Sequence, residues 1–121
     1  MTVLAWCAAA VLGGIGALLR FAVDSAVSQR MARDFPYGTL VVNLSGAVVL
    51  GFTTGLALSG DEGVLIGSAT VGAYTTFSTW MLETHRLAED GEPARAFANI
   101  AVSLVVGLGA AALGRTLGAH L

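Results

Sequence analysis

The sequence predicts an all-α membrane protein of four transmembrane helices, forming one domain over residues 1–121. Two observations carry that prediction. The first is composition: 55% of residues are hydrophobic and only 12% charged, where soluble domains hold about a quarter. Mean hydropathy is accordingly high, at +0.78. The second is spacing. Four uncharged stretches, 1–19, 35–60, 63–82 and 96–114, make up most of the chain. Each is close to the ~20 residues a helix rising ~1.5 Å per residue needs to cross a ~30 Å hydrocarbon core.

The first helix is expected over 3–23, closing near Arg20. A polar connector, 24–37, holds Arg30, Arg33 and Asp34. Phe35-Pro36-Tyr37-Gly38 breaks it and opens a second helix over 39–58. Ser59-Gly60-Asp61-Glu62-Gly63 reads as a tight turn, and the third helix follows over 64–86. Asp90-Gly91 turns the chain again. Pro93 suits the first turn of a fourth helix over 94–117, where its missing N–H costs nothing. No basic region precedes the first apolar run, and that run is long enough to span, so a cleavable leader is not expected.

Several function classes are excluded. The chain has no lysine, so a phosphate-binding loop with its obligatory Lys is absent. The lone Cys7 cannot form an intrachain disulfide. No spacing resembles a metal-ligand set, a nucleophile elbow or a catalytic carboxylate pair, and no enzyme activity is expected. No basic face suggests nucleic acid.

Sixteen glycines fall mostly within the spans. Small residues let membrane helices approach closely. Gly51/Gly55, Gly63/Gly67 and Gly114/Gly118 have the GxxxG spacing, but this glycine content gives about two such pairs by chance. Tight packing is the expectation, rather than a specific interface. Arginine placement sets orientation. The connections after the first and third helices hold Arg20, Arg30, Arg33, Arg86 and Arg95, against Arg115 alone on the other side. That five-to-one bias predicts both termini outside.

Polar residues within the spans need partners, because hydrocarbon offers none. Asn43 is open to two readings, an interhelical hydrogen bond or a donor lining a pore. Ser45, Thr53 and Thr54 can bond back to preceding carbonyls. Asn99 and Ser103, four apart, share one face of the last helix, with Gly107 continuing the row. Arg20 either snorkels to the interface or stands at the mouth of an anion path. Glu83 lies two turns after Thr76. The densest polar cluster is Thr75, Thr76, Ser78 and Thr79, in the middle of the third span. Four hydroxyls in five positions cannot share one helical face. Preceded by Gly72, they predict a helix broken near its middle. Freed backbone at that depth must be buried in protein or line a cavity, and such breaks commonly form ion sites.

Three segments then match a known pattern. Gly13-Gly14-Ile15-Gly16-Ala17-Leu18-Leu19-Arg20-Phe21, Gly38-Thr39-Leu40-Val41-Val42-Asn43-Leu44-Ser45-Gly46 and Thr75-Thr76-Phe77-Ser78-Thr79-Trp80-Met81-Leu82-Glu83 occur in that order. With them the chain resembles, over nearly its whole length, the CrcB/Fluc fluoride channel family. The resemblance implies an antiparallel (inverted) dimer with two narrow pores in the cell membrane. Its activity would be passive, fluoride-selective export from the cytoplasm. It implies a fluoride pore of Asn43, Phe77, Trp80, Thr76, Ser78, Ser103 and Asn99, with Arg20 at a vestibule and Glu83 near a pore end. It also implies a structural sodium ion at the dimer interface, held by the backbone carbonyls of Gly72 and Thr75. Trp80 stands where the family has Phe, its indole offering both an edge and an N–H donor, and Asn99 where members often have Tyr.

Two alternatives follow from the residues. The arginine bias is unlike that of a chain inserting both ways, which makes a heterodimer with an oppositely biased paralogue an alternative to the homodimer. A small multidrug-type cation exporter would need a carboxylate within the first helix, and none precedes Asp24. A noncatalytic subunit of a larger membrane complex is a remaining class.

Overall fold

In the computed structural model, which describes residues 1–121, the chain is all-helical. Helix α1 spans Val3–Arg30, with the Thr2 hydroxyl accepting the Ala5 N–H at 3.1 Å. It runs seven residues past the expected end at 23. Residues 24–30 are mostly polar but contain neither Gly nor Pro. Polarity marks where a helix leaves hydrocarbon, whereas a helix stops only where backbone or capping chemistry ends it. An i,i+4 hydrogen bond from Ser28 to Asp24 supports the extension.

Helix α2 covers Tyr37–Gly55, entered through Pro36. It stops short of the expected 58 because the chain turns at Leu56 and Ala57, the latter in the left-handed region at φ 55°. The next leg is segmented. A single turn, α3 (Gly60–Gly63), runs into a π-helical stretch, Val64–Val71, and then α4 (Gly72–Tyr74). Thr75 is extended, with ψ 163°. Helix α5 (Ser78–Glu89) completes the leg. Helix α6 spans Pro93–Ala119 with Pro93 in its first turn. Three helices, α1, α2 and α6, are long and apolar enough to cross a membrane.

Helices α2 and α6 run parallel and meet backbone to backbone. A Cβ added to Gly51 would sit 2.1 Å from the Ala111 carbonyl oxygen, and one on Gly55 2.2 Å from that of Arg115. Reciprocally, Gly114 faces the Val48 oxygen at 2.1 Å and Gly118 that of Phe52 at 2.2 Å. Two GxxxG pairs therefore form one specific interface, which the chance estimate had set aside. The third pair does not: the nearest atom to a Cβ on Gly67 is a Leu50 methyl at 3.6 Å. On the other side of the bundle, α1 packs along the segmented leg, where Gly16 admits the Thr70 carbonyl. Arg95 of α6 pairs with Asp34 of the α1–α2 connector at 3.5 Å, so both long connections lie at one end.

Only 13 of 121 residues are buried, and Phe21, Phe77, Phe97 and Leu108 are all more than two-thirds exposed. Such a surface suits hydrocarbon or another apolar face rather than water. The glycine seam makes a quantitative prediction. Gly114→Val forces a side chain into the Val48 carbonyl and should destabilise the bundle by about 1–3 kcal/mol. Gly109→Val, at a position with nothing within 4 Å, should leave the melting temperature in detergent nearly unchanged.

Candidate functional site

The site is built around the interruption between α4 and α5. The Thr75 N–H still closes on the Val71 carbonyl at 2.9 Å. In a continuing helix the Thr76 N–H would close on Gly72. Instead it donates to Asn43 Oδ1 at 2.8 Å, while Asn43 Nδ2 donates to the Thr76 carbonyl at 2.9 Å. One side-chain amide of α2 thus replaces both helical partners of a single residue. The Thr79 N–H turns to Thr76 Oγ1 at 3.2 Å, capping the start of α5. These substitutions leave the carbonyls of Gly72 and Thr75 without their helical N–H donors. That of Thr75 receives the Arg20 guanidinium at 3.4 Å.

A groove of about 560 Å³ opens beside this interruption. Asn43, Gly72, Thr75, Thr76, Phe77, Trp80 and Ser103 all line it, and no acidic or basic side chain does. Phe77 is 69% exposed. Its ring meets that of Trp80 edge-on, at 5.7 Å between centroids and 85° between planes. Two of the residues expected in the pore do not line this groove. Ser78 is exposed at the start of α5, off the groove lining. Asn99 is 1% exposed, in the seam between α5 and α6, with Nδ2 donating to Thr84 Oγ1 at 2.9 Å. The expected indole donor is also engaged: Trp80 Nε1 donates to the Asn99 carbonyl at 3.1 Å, leaving only ring edge for the groove. Ser45, Thr53 and Thr54 bond back within α2, as their spacing predicts.

Arg20 lies ten positions before the end of α1 and turns inward. With Asp24, Thr39 and Thr76 it lines a smaller cavity of about 180 Å³. Thr76 lines both cavities. Glu83 is tied to α2 rather than free at the helix surface. It accepts the hydroxyl of Thr39, which is 3% exposed, and faces a third cavity of about 570 Å³ that Arg33 and Arg86 share.

Three contributors escape a reading of the sequence alone. Thr39 lies one turn before Asn43 and ties Glu83 to α2. Thr84, one turn after Trp80, seats Asn99. Gly46 lets Thr75 pack against α2, since a Cβ there would sit 2.2 Å from the Thr75 methyl. The i±4 spacing of the two threonines was the available signal.

The amide exchange has a measurable cost of removal. Asn43→Leu keeps the volume but strands the N–H and carbonyl of Thr76, each of which costs about 1–3 kcal/mol when left unpaired. A loss on the order of 3 kcal/mol is expected from thermal melts in detergent. Asn43→Asp, which retains the acceptor, should lose less.

Comparison with known proteins places this geometry. The family model described as CrcB-like protein, Camphor Resistance (CrcB), matches residues 7–115. A protein of Mycobacterium bovis named fluoride-specific ion channel FluC 2 is 58% identical over 115 residues, covering 95% of this chain and 91% of the relative. The protein of the same name from Mycolicibacterium paratuberculosis is 59% identical over 116 residues, covering 96% and 95%. Fluoride-specific ion channel FluC 1 of Symbiobacterium thermophilum is 40% identical over 121 residues, covering 95% and 98%. With a family match across almost its full length and relatives this similar, the chain belongs to the CrcB family.

Proposed function

We propose that this protein is a fluoride-selective channel that lets fluoride leave the cytoplasm passively across the cell membrane. One observation carries the reading: neutral hydrogen-bond donors and aromatic edges converge on a groove free of charged side chains. Fluoride is small and tightly hydrated, so a path must replace its water with good donors. Asn43 Nδ2 keeps a second N–H after serving Thr76. The Thr76 hydroxyl accepts from Thr79 and retains its own proton. Ser103 lines the groove and carries a hydroxyl that can donate. The electropositive edges of Phe77 and Trp80 complete the wall. A lining without fixed charge binds weakly enough for exit. The Arg20 guanidinium lines the neighbouring cavity beside Asp24 and reaches toward the interruption, where it puts a positive charge on the Thr75 carbonyl. Fluoride enters cells as the neutral acid and dissociates inside, so a leak for the anion suffices where the membrane is negative within. The names of the relatives support the choice of ion.

The segmented leg serves as the third of four crossings, because α2 and α6 run parallel and something must return between them. The working unit is an inverted dimer with two pores. The Gly72 carbonyl, a neutral oxygen without its helical donor, fits a hard cation such as sodium, and that of Thr75 would join it on releasing the Arg20 guanidinium. Two oxygens are fewer than hard cations take, so a second copy would supply the rest. Sodium there would steady the two interruptions against each other.

A second reading concerns the partner. With Arg20 counted as interior, four loop arginines still oppose Arg115 alone. Relatives numbered FluC 1 and FluC 2 accord with two chains of opposite bias forming the dimer. Expressed alone, this chain should then insert with its termini on one side and conduct poorly. Robust efflux with termini exposed equally on both sides would reject the heterodimer.

For the channel itself, fluoride efflux from proteoliposomes should exceed chloride efflux by orders of magnitude. Phe77→Ala removes an aromatic edge contact of about 0.5–1.5 kcal/mol and should slow fluoride efflux by up to about tenfold. Equal fluoride and chloride efflux in the unmodified protein would overturn the reading.

A further inference from the structure

Trp80 is fixed at two points by a single residue of the neighbouring helix. Its indole N–H donates to the Asn99 carbonyl at 3.1 Å. Its own carbonyl receives the Thr84 hydroxyl at 2.8 Å, with Asn99 Nδ2 at 3.5 Å. A hydroxyl has one proton, so Thr84 Oγ1 can meet Asn99 only as an acceptor. This sets the Asn99 amide with its nitrogen toward α5, at 2.9 Å from Thr84 Oγ1. Asn99 is the most deeply buried polar side chain of the protein, at 1% exposure, and it does not line the groove. An indole otherwise has several staggered positions available. The bond from its nitrogen to the backbone carbonyl of Asn99 selects one, which presents the ring edge-on to Phe77, and the Asn99 side chain holds that carbonyl in place by joining α6 to Thr84 of α5.

We propose that Asn99 and Thr84 are positioning residues that fix the Trp80 indole in the anion path and thereby set fluoride flux and its discrimination from chloride. They do so without touching the ion. The inference rests on the reading of the groove as a fluoride path. A wall built from a ring edge discriminates by distance: a small displacement weakens attraction to a compact anion and opens room for a larger one.

The test uses a Trp6→Phe background, in which Trp80 is the sole tryptophan. Thr84→Val keeps the shape but leaves Asn99 Nδ2 only its 3.5 Å contact with the Trp80 carbonyl, Thr84→Ser restores the hydroxyl, and Asn99→Leu removes the amide while keeping the backbone carbonyl that accepts the indole N–H. Fluorescence anisotropy of Trp80 is read beside fluoride and chloride efflux from proteoliposomes. Thr84→Val and Asn99→Leu should lower the anisotropy, slow fluoride efflux by about tenfold and narrow its margin over chloride. Thr84→Ser should stay within about twofold of its parent. If Asn99→Leu fails to fold, the Thr84 pair still decides the matter. Slowed efflux with unchanged anisotropy would overturn the proposal, as would lowered anisotropy with unchanged efflux. Trp80→Ala separates the two claims. Unchanged efflux in that variant removes the indole from the path and the groove reading with it. Reduced efflux there, beside parental efflux and anisotropy in Thr84→Val, overturns the positioning role alone.

Discussion

The reciprocal hydrogen bonds between Asn43 and Thr76 are the constraint on which the site depends. Backbone groups at membrane depth must be paired within the protein. A helix pairs them along its own axis, and any interruption therefore needs an outside partner with both a donor and an acceptor. A side-chain amide is the compact group that supplies both. By taking the N–H and carbonyl of one residue, Asn43 lets α4 end at Tyr74 and α5 begin at Ser78. The other features follow from that exchange. The carbonyls of Gly72 and Thr75 lose their helical donors, Thr76 becomes the cap of α5, and Phe77 turns out toward the groove.

The exchange requires α2 to stand close and in register, and glycine provides this. Gly46 admits Thr75 against α2, and the reciprocal glycines of α2 and α6 hold those helices at backbone contact. Through that seam Ser103 of α6 reaches the same groove as Asn43 of α2. In lipid there is no hydrophobic drive to bring helices together, so close packing and interhelical hydrogen bonds carry the association. Here the two are coupled, because the glycine seam sets the distance at which the Asn43 amide can reach Thr76.

Much of the architecture is legible in the sequence, for reasons that also mark the limits. Uncharged runs of sufficient length locate α1, α2 and α6, since hydrocarbon excludes charge. The end of α1 is not legible in the same way, because residues 24–30 leave the apolar run without leaving the helix. Asn43 could be singled out as polar in an apolar span, but its partner lies 33 residues away and no local rule names it. Asn99 and Ser103 share a helical face by spacing. Only tertiary packing turns one into the seam with α5 and the other toward the groove. The GxxxG pairs show the same limit. Spacing alone barely exceeds chance, and only the reciprocal contacts distinguish Gly51/Gly55 and Gly114/Gly118 from Gly63/Gly67.

The most direct test of the account is isotope-edited infrared spectroscopy of the Gly72 carbonyl, singly labelled with ¹³C and ¹⁸O, in the protein reconstituted in lipid in sodium-free buffer, so that no bound cation lowers its frequency. Asn43 draws the Thr76 N–H away from this carbonyl, so it should absorb at higher frequency than the same label at Val102, within the unbroken α6. If the two labels absorb at the same frequency, the Gly72 carbonyl keeps its helical donor, the amide exchange is absent, and the account of the site fails.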